Sequence, residues 1–312
     1  MNNLVGRQDA LHPSTEDLRV FITVARLASF AGAAEALGVS PAYVTKRIRL
    51  LEALLGTPLF HRTTRRVALS EGGERVHPWA QRILDDVDHL LEEVATTRRT
   101  PRGLLRVCTS FGFGRQVVAP ALAALVARHP ALGLHLEVFD RLVDVAAEGF
   151  DLDIRVGDEI APHWRARRLA DNHRLLCAAP TYLARRGTPR NLAELAQHDC
   201  LVIKERDHPL GVWRLRTARK EHVVKVRGPL SSNQGEIALQ WALDGHGIVL
   251  RSWWDAAAHL RSGRLVALLP AYRQEANIWA VYPARLETSA KVRVCVEGLA
   301  QALASGPAGA AV

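Results

Sequence analysis

No stretch of about 18 apolar residues occurs in this chain, so no segment reads as a membrane-spanning helix. Only four of its 312 residues are cysteine, scattered at Cys108, Cys177, Cys200 and Cys295 without Cys-x-x-Cys spacing. That excludes a disulfide framework and a thiolate metal site, and it predicts buried, reduced thiols. The 13 histidines include no His-x-x-x-His pair, so no metal centre is expected. Gly112-x-Gly114 and Gly245-x-Gly247 each lack the third glycine of a dinucleotide loop, and no Gly-x-Ser-x-Gly elbow is present. No cofactor is therefore expected, and enzyme classes that depend on these motifs lose their support. The chain opens on no leader-like apolar segment, from which a cytoplasmic location is expected.

What the chain does have is focused basic charge. Of a net charge of +9, little falls in the first hundred residues as a whole, yet Lys46 to Arg66 holds six basic residues against the single acid Glu52. This cluster sits on a pattern of three short amphipathic helices. Leu18, Phe21, Ile22 and Ala25 form one apolar stripe, opened by Ser14-x-x-Asp17 in the manner of a capping box. Phe30, Ala33, Ala34 and Leu37 form a second, whose small residues allow close packing at the Gly38-Val39 turn. The third begins at Ser40, an N-cap, with Pro41 at the first helical position where its missing N–H costs nothing. Its apolar residues Val44, Ile48, Leu51 and Leu55 face a core, which leaves Ala42, Thr45, Lys46 and Arg49 on the solvent side. Small, hydroxyl and basic side chains on such a face suit entry into a DNA major groove. Pro58 to Leu69 then reads as a hairpin with a basic tip suited to phosphate contact or the minor groove. The candidate DNA-facing residues are Ser40, Ala42, Tyr43, Thr45, Lys46 and Arg49 on the helix, with Arg62, Arg65 and Arg66 on the wing.

From Ser70 a long helical pattern carries Val76, Ala80, Ile83, Val87, Leu90, Leu91 and Val94 at roughly heptad spacing, with acids crowding its outer face. It either packs on its own domain or pairs with a second chain. The polar run Thr97 to Gly103 marks a boundary. Beyond it, strand-like runs alternate with helical ones: Leu104–Thr109, a helix to Arg128, Leu132–Val138, a helix near Val143–Glu148, and Leu152–Val156. That βαβαβ order predicts a mostly parallel sheet with helices on its faces. A second set runs through Leu175–Ala178, Leu201–Ile203, a helix Gln234–Asp244, Ile248–Leu250 and Leu265–Leu268. The strand Asn277–Tyr282 and the helix Ala290–Leu303 return to the first set.

The runs Asp17–Phe21, Ser29–Leu37, Val44–Glu52, Leu59–Arg62 and Leu69–Gly73, in this order, resemble the N-terminal domain of LysR-type transcriptional regulators. One departure is visible: that family usually places Gln-Pro-Ala after the serine that opens the recognition helix, whereas Ser40 here is followed by Pro41-Ala42-Tyr43. The resemblance spans Asp17 to about Leu303 and implies a winged helix-turn-helix domain over 15–72, a linker and dimerisation helix over 73–100, and an α/β effector-binding domain over 103–304. That last domain is similar in turn to periplasmic binding proteins, with lobe I at 103–173 and 272–304 and lobe II at 174–271. The implied partners are double-stranded DNA, a small carboxylate effector, a second or further copies of the chain as homodimer or homotetramer, and RNA polymerase.

In such folds ligands sit between lobes, at strand C-termini and helix N-termini. Four segments converge there: Thr109, Ser110, Phe111 and Phe113 after the first strand; Arg155 and Gly157 at the end of another; Ser231, Ser232 and Asn233 before a helix; and Gly247 to Arg251. Hydroxyls, free backbone N–H groups and fixed cations predict a pocket for a small anion. The competing readings are core packing for the two phenylalanines, helix capping for Ser231–Asn233, and an ion pair with Asp153 or Asp158 for Arg155. Glu148–Asp158, Gly228–Asn233 and Trp279–Pro283 further resemble a subgroup of regulators that respond to D-malate and tartrate, which implies a C4 hydroxy-dicarboxylate effector. Two other classes are an α/β enzyme and a solute-binding protein, each acting on small carboxylic acids. The first leaves the DNA-binding head unexplained, and the second requires export.

Overall fold

The computed structural model describes residues 12–62, 67–94, 101–204 and 210–305, and the chain divides into two compact units, 1–98 and 99–312. In the first unit, α1 (Thr15–Leu27), α2 (Phe30–Leu37) and α3 (Pro41–Leu55) are punctuated by side-chain caps. Ser14 and Asp17 close the expected capping box, each side chain accepting from the other's backbone N–H at 3.1 Å. Ser29 caps α2, and Gly38 ends it in the left-handed region at φ 67°, where a side chain would be strained. Phe21, Val24, Ala33, Ala34, Val44, Ile48 and Leu51 form the core with Leu59 and with Phe60, the first residue of β1 (Phe60–Arg62). The stripe of α3 ends sooner than its periodicity suggests: Leu55 is 37% exposed, because it lies in the last turn just before Gly56, past the other two helices.

β1 pairs antiparallel with β2 (Val67–Leu69), and the tip that joins them, including Arg65 and Arg66, lies outside the described residues, as does the side chain of Arg62. α4 (Glu71–Val94) starts hard against this hairpin. A Cβ on Gly73 would stand 2.1 Å from the Leu59 carbonyl oxygen, so only glycine allows this approach. Ser70 fixes the same corner, its hydroxyl accepting from Gly73 N at 3.0 Å and donating to the Pro58 carbonyl at 2.5 Å. The stripe expected on α4 divides in two. Val76 and Ala80 pack inward, joined by Leu84 from outside the stripe, whereas Ile83, Leu90 and Leu91 are exposed, as is the neighbouring Trp79.

In the second unit, β3 (Gly103–Thr109) leads through α5 (Phe111–Phe113), a π-helical turn (Gly114–Val118) and α6 (Ala119–Arg128) to β4 (Leu132–Val138), then β5 (Leu152–Val156) and β6 (Arg165–Ala170). The chain crosses to the other lobe for β7 (His173–Ala178), α7 (Pro180–Arg186), β8 (Cys200–Ile203), β9 (Val212–Arg216), β10 (Glu221–Lys225), β11 (Ser231–Ser232), α8 (Gly235–Leu243), β12 (Ile248–Ser252), α9 (Trp253–Arg261) and β13 (Val266–Glu275). It returns with β14 (Ile278–Tyr282) and α10 (Ala290–Ser305). The first sheet has the order β4-β3-β5-β14-β6 and the second β10-β9-β13-β7-β12-β8-β11.

Neither sheet is mostly parallel. β3 runs parallel to β4 and β5, but the returning β14 is antiparallel to both β5 and β6. In the second sheet only β12-β8-β11 are parallel. The helix expected near Val143–Glu148 is a run of turns. Asp144 caps a single turn, its carboxylate accepting from the backbone N–H groups of Ala146 and Ala147, and Gly149, in the left-handed region at φ 81°, ends that turn before a helix can extend. The second crossing also falls later than residue 272: β13 continues to Glu275, paired with His173, before Ala276 and Asn277 pass back. Asn172 clamps the two crossings, donating to the Ala276 carbonyl at 2.7 Å and accepting Ala276 N at 3.0 Å through its own carbonyl.

Candidate functional site

α3 presents a shallow concavity lined by Pro41, Ala42, Thr45, Lys46, Arg49 and Leu50. Ser40 caps the helix by accepting Tyr43 N at 3.2 Å, which places the first turn at the rim. The hydroxyl of Thr45 donates back to the Pro41 carbonyl at 3.0 Å, so its oxygen keeps lone pairs that can accept. Two side chains of this helix, the expected Tyr43 and its neighbour Arg47, are bonded within the protein. Tyr43 donates its phenol to Glu16 on α1, which raises its pKa above the ordinary value. Arg47, part of the basic cluster, pairs with Asp17 at 2.7 Å and donates to Ser14. The exposed cations of this helix are therefore Lys46 and Arg49.

Between the lobes of the second unit lies a cavity of about 690 Å³. Its walls are electrically mixed: Arg155, Arg174, Arg214, Arg216 and Arg251 stand with Asp140, Asp158, Glu159, Glu221, Glu236 and Glu275. The excess positive charge of this half of the chain is thus not gathered in the cleft. Of the residues expected there, Ser110, Phe113, Arg155, Gly157, Asn233 and Arg251 line it. Thr109 does not: it is buried and its hydroxyl donates to the Ile154 carbonyl at 2.6 Å, joining two strands. Phe111 is turned outward and partly exposed, while Phe113 packs edge-on against Trp254 with ring centres 5.1 Å apart. Ser231 and Ser232 form β11 beside β8 rather than a helix N-terminus, and neither lines the cavity. α8 begins later, at Gly235, with no side-chain cap.

The two inner arginines differ. Arg155 is buried, with Nε and Nη2 on the same oxygen of Asp153 at 2.9 and 2.8 Å and Nη1 on the Glu159 carbonyl at 3.3 Å. It is held in an ion pair with Asp153, the first of the two partners weighed for it, while still lining the cavity. Arg251 at the end of β12 gives Nε and Nη2 to one oxygen of Asp255 on α9. Its Nη1 lies where a Cβ on Gly235 would come within 1.8 Å, so the absence of a side chain at Gly235 opens the space the guanidinium occupies at the cleft wall.

The cavity also exposes acids that sequence patterning missed, because only the tertiary fold brings them to its wall. Asp158 accepts from Asn277 at 2.9 Å and from the Trp279 indole at 2.8 Å. Glu236, at the start of α8, accepts from Gln116 at 2.9 Å and from Arg115 at 3.2 and 2.5 Å. Burial alone would raise its pKa, but these bonds outweigh it and hold the carboxyl below its usual range. Among the described residues no cluster of His, Cys, Asp and Glu is arranged to hold a metal ion. All four cysteines are buried, and burial pushes the thiols of Cys177, Cys200 and Cys295 up to about 12. Among the described residues no helix is long and apolar enough to cross a membrane.

Two family models match this architecture. Residues 15–74 match the bacterial regulatory helix-turn-helix protein, lysR family, and residues 98–304 match the LysR substrate binding domain. The chain is 58% identical over 301 residues to the HTH-type transcriptional regulator DmlR of Escherichia coli K12, covering 96% of this chain and 95% of that protein. It is 49% identical over 288 residues to the HTH-type transcriptional activator TtdR of the same strain, covering 92% and 93%. Among solved structures it is similar to CrgA, a LysR-type transcriptional regulator from Neisseria meningitidis, with a TM-score of 0.58, 30% identity, and coverage of 93% of this chain and 99% of that one. A three-helix head with an exposed basic helix face and a two-lobed α/β unit with a central cleft, matched over nearly its whole length, make this chain a DNA-binding transcriptional regulator of the LysR family.

Proposed function

We propose that a small hydroxy-dicarboxylate of the malate or tartrate kind binds in the cleft, and that its binding controls how the chain engages its operator. The observation that carries this reading is Arg251, held by Asp255 and admitted to the cleft wall by Gly235. A guanidinium with two N–H groups engaged and a third nitrogen at a cavity wall is suited to one carboxylate of such an acid. Ser110 and Asn233 line the same cavity and supply neutral polar groups for hydroxyls. The resemblance to D-malate- and tartrate-responsive regulators in Glu148–Asp158 and Gly228–Asn233 supports the same ligand class.

On the DNA side, Thr45 and Arg49 read base edges while Lys46 and the wing arginines Arg62, Arg65 and Arg66 hold phosphate. Two copies pair through the outward apolar residues of α4, since Leu90 and Leu91 at 58% and 57% exposure form part of a face that solvent alone would leave costly. Pairing sets two recognition helices about 34 Å apart, one DNA turn. The ligand acts by binding one lobe arrangement more tightly than another; equal affinity for both would shift nothing.

The test is calorimetric titration of the full chain with D-malate, L-malate, tartrate and lactate, followed by footprinting with and without the acid that binds. Binding of a hydroxy-diacid in preference to lactate, with a changed footprint, supports the reading. Catalytic turnover of the acid, or binding with an unchanged footprint, sinks it.

A further inference from the structure

The lobes meet at one corner of the cleft through a compact polar junction. Arg115 and Gln116, on the π-helical turn of lobe I, both donate to a single oxygen of Glu236 at the start of α8 in lobe II. Gln116 also reaches Asp255 on α9 at 3.2 Å, and Asp255 is the acid that holds Arg251. Beside this junction the Trp254 ring of lobe II is seated in the apolar core of lobe I. The lobes thus share an apolar pivot and, next to it, a polar tie that runs from Arg115 to the arginine at the cleft wall.

Most side-chain ion pairs on the surface of this unit join groups of the same lobe and contribute little. The Glu236 junction differs in joining two bodies. It is also satisfied in a state whose cavity, about 690 Å³, lies in the range that encloses drug-sized ligands. A four-carbon diacid is much smaller and needs the walls to move inward to be enclosed. An anion arriving at Arg251 adds negative charge beside both Asp255 and Glu236, which weakens the tie at the moment closure is required.

Resting on the effector assignment above, we propose that Glu236 is a positioning residue for the effector response: with Arg115 and Gln116 it latches the lobes at their effector-free spacing, and occupation of Arg251 releases the latch. Stabilising the unfilled state lowers apparent affinity by the fraction of molecules held in it. Removal of the latch therefore raises it.

The experiment measures lobe spacing and ligand affinity separately in the full chain. Spin labels at Arg167→Cys in lobe I and Arg219→Cys in lobe II, both exposed, report the spacing, since the native cysteines are buried. In Glu236→Ala, and in Arg115→Gln at the other end of the junction, the label distance without ligand moves toward the value that D-malate produces in the unsubstituted protein. D-malate then binds about three- to tenfold more tightly, as expected for loss of one charge-assisted contact. The exchange Arg115→Glu with Glu236→Arg restores the original spacing and affinity. Unchanged ligand-free distances in both single variants, or equal or weaker D-malate binding with a working wild-type response, overturn the latch. Absence of D-malate binding to the wild type overturns the effector assignment instead, and the ligand-free distances still decide the latch.

Discussion

Replacement of Gly235 by alanine probes the cleft with a single methyl group. Gly235 begins α8 with ordinary helical or extended backbone, so alanine is not strained there, and lower entropy of the unfolded chain alone would stabilise the protein by about 0.4–1 kcal/mol. The added Cβ, however, falls 1.8 Å from Nη1 and 2.7 Å from Cζ of Arg251. To regain ordinary contact at 3.4 Å, the guanidinium must retreat by about 1.6 Å. It is not free to do so cheaply, because both the arginine and Asp255 are almost wholly buried and joined by two hydrogen bonds to one oxygen. Weakening one bond to a charged group costs about 1.5–3 kcal/mol. The net expectation is a loss of about 1–2 kcal/mol in urea unfolding, with D-malate affinity in calorimetry falling at least tenfold because Nη1 no longer stands at the wall. A variant more stable than wild type that still binds the acid normally would refute the reasoning, since it would show that Arg251 neither fills the gap nor meets the ligand.

Arg155→Ala leaves Asp153 buried without its partner, so it should lower stability by about 3–5 kcal/mol in denaturant melts, whereas a mere ligand contact would leave the melt unchanged. On the recognition helix, Lys46→Ala should weaken binding to operator and random DNA alike and reduce the salt slope by about 1, while Arg49→Ala should also relax base preference. Equal mobility-shift affinities of wild type and Arg49→Ala on both DNAs would exclude that face. Because burial raises the thiols of Cys177, Cys200 and Cys295 to about 12 from an ordinary value of 9.0, the unfolded chain gives up their protons first as pH rises. Their contribution to stability is complete below pH 9 and declines from there toward pH 12; thiol titration at pH 8 should find them unreactive until denaturant is added.

The head was legible because its signals are local. Ser14, Ser29 and Ser40 each accept a backbone N–H within three residues, and Gly38 takes the left-handed turn that only glycine adopts without strain. The second unit was legible where strands are buried on both faces, as at Leu152–Val156, and not where an edge is charged. β6, with the sequence RARRLA, gives no alternation, since four of its residues are exposed on the sheet edge where arginines discourage pairing with another chain. Side-chain roles were harder still. Whether Thr109 points to a ligand or to Ile154, and whether Arg155 pairs with Asp153 or Asp158, depends on partners 45 residues away or two, and nothing in the pattern of residue types selects between them. The cleft acids were missed for the same reason: Asp158, Glu221 and Glu275 come from separate turns and strands that only the tertiary fold brings to one wall.

The placement of β14 between β5 and β6 has a consequence for synthesis. Those two strands leave the ribosome early, but the strand that must join them is made only after the entire second lobe, a delay of roughly 5–20 s at ordinary translation rates. During that interval Leu152, Ile154 and Leu169, buried in the finished molecule, belong to an unfinished sheet with an open gap between β5 and the edge strand β6. Lobe II has no such dependence, since β7 to β13 are contiguous. The nascent chain thus completes its second lobe before its first, and a chain cut short near Ala276 would carry a finished lobe II attached to a sheet that cannot close.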